Sequence, residues 1–299
     1  VALELDRKES RPGLLWRLWK PAPRAGRTVA VASGKGGTGK SILAAALAHR
    51  FADEGLRTVV FDADFGVGNA HILQGLTADL SVAHVVAGRV ELEDILRAAT
   101  TGVSVIPAGS GVPGLASLSP FELQLVVRGL GGIERSADRI VVDGPAGVSD
   151  QALLFVGCSD LTLVVTTPDI TAMTDAYAWI KVATRRGRES PLALVVNRAR
   201  SEGQANGVAG KILGVARRFL GLELPFLGFV PEDPAVTESI ARRRPVPVSH
   251  PDSPAAAALS RLAEEVETLL DARPAPERTY AERLADCLAR GLAPGPARS

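Results

Sequence analysis

A doubly wound α/β fold, with a mainly parallel sheet and helices on both faces, is what three features of this 299-residue sequence predict. Short runs rich in Val, Ile and Leu recur without polar alternation, as strands covered on both sides require. Stretches of helical period separate those runs. A segment dense in glycine and lysine, "SGKGGTGKS" from Ser33 to Ser41, lies between the first such strand and the first such helix.

In chain order the strands read "RTVAVAS" from Arg27, "RTVVFDAD" from Arg57, "VSVIPAG" from Val103, "RIVVDGPAG" from Arg139, "LTLVVTT" from Leu161, "LALVVN" from Leu192 and "PFLGFV" from Pro225. Helical stretches run from Ser41 to Phe51, Phe121 to Leu130, Ala172 to Thr184, Val208 to Leu220 and Ala255 to Leu270. Such alternation implies crossover units, and ligands of these sheets sit at the carboxyl ends of the strands. Nothing splits the span 28–271 into two domains. Residues 1–27 form a separate basic, tryptophan-containing arm, and 272–299 a proline-marked linker, a short amphipathic helix and a terminal tail.

Composition narrows the functional classes. Hydrophobic residues make up 46% and the formal net charge is +1, so the chain can bury a large core and carries no global field toward nucleic acid or membrane. No apolar run approaches the roughly 20 residues of a spanning helix, and the expected compartment is the cytosol. Cys158 and Cys287 are far apart in sequence and make no CxxC pair, so neither a disulfide framework nor an iron–sulfur site is expected.

Gly34, Gly39, Lys40 and Ser41 fill the pattern GxxxxGK[ST], directly after a strand and opening an alanine-rich helix. Glycines let the backbone curl until successive N–H groups face phosphate oxygens, and the helix N-terminus adds free donors; Gly36, Gly37 and Thr38 complete the cradle. Lys40 is expected at the β- and γ-phosphates and Ser41 on Mg²⁺. "IVVDGPAG" places Asp143 where a carboxylate binds that metal through water. Asp62 and Asp64, followed by Gly66 and Gly68, read as the start of a switch loop, with capping of a turn or helix the other reading of Asp62. Asn197 is followed by Arg-Ala-Arg rather than the NKxD of guanine readers, which favours ATP over GTP.

With its second lysine, Lys35, "GKGGTGKS" resembles the deviant Walker A loop of the MinD/ParA group of ATPases. The resemblance spans about Arg27 to Leu270, and "DADFGVGNAHILQGL", "DGPAGVSDQALLF" and "TTPDITAMTDAYAWIK" look most like its FlhG/YlxH branch, which sets flagellar number and position. It implies a slow, partner-stimulated ATPase that closes as a homodimer over ATP. In that dimer Lys35 reaches phosphate bound by the other copy, Asp64 attends the attacking water, and Asp62 holds a metal-bound water. Asn197, Pro231 and Asp233 are carried over as adenine contacts. A partner GTPase of the FlhF kind, or another polarity factor, is implied as well, although the "DQA" activator motif is missing from this N-terminus.

Both tails are expected to offer docking surfaces. A helix from Gly13 would gather Leu14, Leu15, Trp16, Leu18 and Trp19 in an arm of net charge +4, suited to a membrane interface or to a protein. Near the C-terminus, Tyr280, Ala281, Leu284, Cys287 and Leu288 share one helical face, resembling in position the membrane-targeting helix of MinD-like proteins, with a terminal helix docked on its own domain the other reading. The arginine clusters at Arg185, Arg186 and Arg188 and at Arg242 to Arg244 read as solvated helix ends, leaving DNA outside the expected partners; a DNA- or cargo-partitioning ATPase is the rival class.

Overall fold

The structure, a computed structural model, describes residues 26–109, 114–186 and 190–290. The N-terminal arm, Arg188 and the last nine residues lie outside that set. In order the elements are β1 (Arg27–Ser33), α1 (Lys40–Asp53), β2 (Thr58–Asp62), α2 (Ala70–Leu73), α3 (Val82–Val86), β3 (Arg97–Ala98), β4 (Ser104–Ile106), α4 (Pro120–Glu134), β5 (Arg139–Ala146) and α5 (Asp150–Gly157). There follow β6 (Leu161–Thr166), α6 (Ile170–Arg185), β7 (Leu192–Ala199), α7 (Glu202–Leu220), β8 (Phe226–Pro231), α8 (Pro234–Ala241), α9 (Val246–Ser249), α10 (Pro254–Asp271) and α11 (Tyr280–Ala289).

The strands form one sheet in the order β3-β4-β2-β5-β1-β6-β7-β8, parallel throughout except for the β3–β4 pair. All seven strands read from the sequence are present. β3 was not anticipated, because two half-buried residues, Arg97 and Ala98, carry no apolar run. The short helix α5 was missed too, since its all-apolar "ALLFVG" has no helical stripe to separate it from a strand.

Successive residues of β1 serve opposite sides of the sheet, as the two-residue strand period demands. Ala30 and Ala32 join the layer under α3 to α7 and α11, while Val29 and Val31 join the layer under α1 and α10. The helices begin where side chains supply caps: Ser119 for α4, Ser149 for α5, Asp169 for α6 and Ser253, followed by Pro254, for α10. No described helix is long and apolar enough to cross a membrane.

Of the two readings of the C-terminal helix, a membrane-facing stripe and a helix docked on its own domain, the structure shows the docked one. The apolar face of α11 is not presented outward but docks on α4 and α5, with Tyr280 and Leu284 fully buried. Polar contacts fix it there. The Glu134 carboxylate accepts hydrogen bonds from the amides of Tyr280 (2.7 Å) and Ala281 (3.0 Å), and Tyr280 Oη donates to the Phe155 carbonyl at 2.7 Å. Arg283 donates to the carbonyl of Cys158 and to Asp160, each at 2.8 Å. Burial holds the Glu134 carboxyl above its usual range even though the two amides and Arg283 favour its charge. Glu134→Ala strands two buried N–H groups, so we expect a loss of about 2–3 kcal/mol in urea unfolding at neutral pH.

Candidate phosphate-binding site

The loop between β1 and α1 stands at the carboxyl end of a central strand, where sheet order changes direction between β5 and β6. Two glycines explain its path. Gly39 caps α1 in the left-handed region (φ +92°), and a Cβ there would lie 2.2 Å from Asn197 Nδ2; a Cβ on Gly34 would lie 2.1 Å from the Asp175 carbonyl. The loop is braced from within by Ser33 Oγ, which donates to the Lys35 carbonyl at 2.6 Å, and from β7 by Asn197 Nδ2, which donates to the Thr38 carbonyl at 2.7 Å.

Two strand ends deliver acids to this loop. Asp62 and Asp143 are register partners on β2 and β5 and both are buried. Burial, with Asp143 alongside, raises the Asp62 carboxyl well above its ordinary range, and burial pushes Asp143 up to about 6 despite the Ser41 hydroxyl and Lys40. Lys40 is itself lowered by burial, an effect countered by Asp143 and Asp64. A buried ammonium among carboxylates at a helix N-terminus is a charge arrangement made for an anion that carries its own cation.

Magnesium fits these residues. Asp143 Oδ1 is buried and accepts no hydrogen bond among the described residues, and the Ser41 hydroxyl adjoins the same carboxylate. Ser41 and Asp143 would hold the ion.

Asp64 lies on the turn after β2, where its amide donates to Asp62 Oδ1 (3.2 Å) and its Oδ1 accepts from the Val67 amide (3.1 Å). Phe65 pins that turn: fully buried, it meets Phe61 and Phe155 edge-on at centroid separations of 5.9 and 5.5 Å. Lys35, expected to cross to a second copy, rests on its own chain, where Nζ donates to Thr171 Oγ1 at 2.5 Å and stands 3.9 Å from Asp169 Oδ1. Phe65, Asp169 and Thr171 were not identified as site residues from the sequence. The one local signal was the Asp-x-Thr spacing that starts α6, legible only as a cap.

Several of the expected site residues also have partners within the chain. Asp62 satisfies its capping reading, with Oδ2 accepting from the Ala70 amide at 3.0 Å as α2 begins. Asn197 braces the phosphate loop through Nδ2. Asp233 caps two helices at once, accepting from the amides of Ala235 (2.9 Å) and Ala255 (3.0 Å), which ties α8 to α10. Pro231 ends β8 as read.

A parallel sheet, a glycine loop opening a helix, a buried lysine and acids at neighbouring strand ends define a P-loop nucleoside triphosphatase. Comparison narrows the class. Residues 24–267 match the family described as ParA, NUBPL iron-transfer P-loop NTPase. The antiactivator FleN of Pseudomonas aeruginosa is 33% identical over 242 residues, covering 81% of this chain and 86% of FleN. The flagellum site-determining protein YlxH of Helicobacter pylori is 37% identical over 169 residues, covering 56% of this chain and 57% of YlxH. Among solved structures, the septum site-determining protein MinD of Pyrococcus horikoshii, complexed with Mg-ADP, superposes with a TM-score of 0.68 at 27% identity, covering 82% of this chain and 97% of that one. The chain belongs to the ParA/MinD family of P-loop ATPases and hydrolyses ATP.

Iron transfer, named in the family description, does not fit the donor set. The chain has two cysteines, and these pack on each other at the amino ends of the strands, opposite the phosphate loop.

Asp143 also yields a pH test. A carboxyl whose folded pKa is raised stabilises the fold while protonated, and that contribution is lost as pH rises through about 6. We therefore expect nucleotide-free wild type to weaken relative to Asp143→Asn by about 1 kcal/mol between about pH 5 and pH 7 in urea unfolding, while the variant loses at least about 100-fold in hydrolysis.

Proposed function

We propose that the protein is an ATP-gated dimeric switch that controls the placement or number of a cellular structure, the flagellum above all. The observation that carries this reading is the rim around Lys35. Val67, Val148 and Ile170 are 67%, 39% and 80% exposed, and they follow β2, β5 and β6, of which β5 and β6 flank β1 and β2 lies next to β5. Three bare apolar side chains and a half-exposed lysine around a nucleotide loop suit a second copy of the chain. A Cβ on Gly36 or Gly37 would meet nothing of the chain within 4 Å, which leaves approach to the loop open.

In this reading backbone N–H groups and Lys40 bind the phosphates, and Ser41 and Asp143 would hold Mg²⁺, which would supply neutralisation of phosphate charge. Asp64 orients the attacking water. Lys35 leaves Asp169 and Thr171 for the phosphate of the partner copy, so the γ-phosphate is sensed through assembly. Placement or number as the output is supported by FleN and YlxH, named an antiactivator and a flagellum site-determining protein. A membrane or a GTPase partner would read the dimer.

Sedimentation velocity tests the core of this. With a non-hydrolysable ATP analogue and Mg²⁺ the chain is expected to sediment as a dimer, and with ADP as a monomer; monomer in both removes the switch. Flagellar number or position should change on loss of the gene, and normal flagellation would redirect the output to another cargo.

A further inference from the structure

The chain's two cysteines, 129 residues apart, meet in the fold. Cys158 follows α5 and is buried, Cys287 lies in the last turn of α11 and is half-buried, and their sulfurs are 3.3 Å apart. Their distance in sequence does not foretell this meeting, which arises because α11 returns to the sheet's amino edge. We propose that Cys158 and Cys287 form an oxidant-sensitive dithiol, a modification site that closes to a disulfide and fastens α11 to the core.

Geometry favours closure. A disulfide bond is about 2.05 Å long, so the sulfurs must approach by roughly 1.2 Å. The compliance is at the right place. Glu134, Tyr280 and Arg283 pin the first turns of α11, whereas Cys287 is in its last turn, two residues before the helix ends, where helices fray.

Exposure sets the order of events with a peroxide as oxidant. The Cys287 thiolate attacks one peroxide oxygen, the O–O bond breaks, and the departing hydroxide takes a proton to leave as water, with Cys287 now a sulfenic acid. Cys158 Sγ attacks the Cys287 sulfur, the S–O bond breaks, and the hydroxide leaves as a second water with the Cys158 proton. Two thiols and one hydrogen peroxide become one disulfide and two waters. With the resolving sulfur already in contact, disulfide formation competes well with further oxidation of Cys287.

The same bond closes a very long loop and so penalises the unfolded chain. It also fixes the helix whose apolar face, through Tyr280, Leu284 and Leu288, would have to leave the core before it could meet a membrane or another protein. The oxidised chain would keep that face covered. This inference does not depend on the dimeric switch.

The test uses the full-length chain. After treatment with hydrogen peroxide, quenching and alkylation under denaturing conditions, intact mass should show a monomer lighter by two hydrogens that takes no alkylating agent. Peptide mapping should recover Cys158 linked to Cys287. The melting midpoint should rise by about 5–10 °C and fall back with dithiothreitol. Cys287→Ser, and independently Cys158→Ala, should abolish the midpoint shift. Two sulfurs that stay alkylatable, that gain oxygens instead, or that link separate chains would overturn the proposal on wild-type protein alone, whatever the variants do.

Discussion

Asp64→Ala is expected to bind ATP and then stay dimeric, with hydrolysis reduced by about 10³-fold, the usual range for losing the group that attends a reacting water. The reason is local. Asp64 is held by the Val67 amide on a turn pinned by Phe65, so the side chain is presented near the loop without being part of its brace. Its charge also acts on Lys40. Removing a carboxylate beside a site that must accept a polyphosphate lowers repulsion, so affinity for ATP should hold or improve. Single-turnover hydrolysis and sedimentation after ATP addition are the measurements. A variant that dissociates on the wild-type schedule would strip Asp64 of this role.

Lys35→Ala has the opposite signature. Lys35 Nζ sits on Thr171 and near Asp169, with 46% of its side chain exposed, so neither the fold nor the phosphate loop depends on it. Nucleotide affinity should change by no more than about threefold, while the ATP-dependent dimer should weaken by at least about 100-fold, or roughly 3 kcal/mol, as expected when one side of a desolvated charge contact is truncated. Titration of a fluorescent nucleotide beside sedimentation velocity separates the two effects. An unchanged dimer would mean that the lysine works only within its own chain.

How much could be foreseen follows from sequence distance. The phosphate loop was legible because its glycines, lysines and serine fall within nine consecutive residues between a strand and a helix, and the strands because both sheet faces are covered. Roles set by distant partners were not. Asn197 reaches Thr38 across 159 residues, Asp233 reaches Ala255 across 22, and Glu134 reaches Tyr280 across 146. Each such polar residue is compatible with a ligand contact until its backbone partner is known. The amphipathic stripe of α11 was read correctly as a stripe, but periodicity names a face and not what covers it.

The late position of Tyr280 in the chain bears on how the protein is made. One of the largest fully buried side chains follows its partner Glu134 by 146 residues, beneath helices completed far earlier. While the ribosome still holds that segment, α4 and α5 must wait with apolar surface uncovered. Nascent chains should therefore gain their final protease resistance only once α11 has left the ribosome, and truncation just before Thr279 should leave a product that chaperones retain.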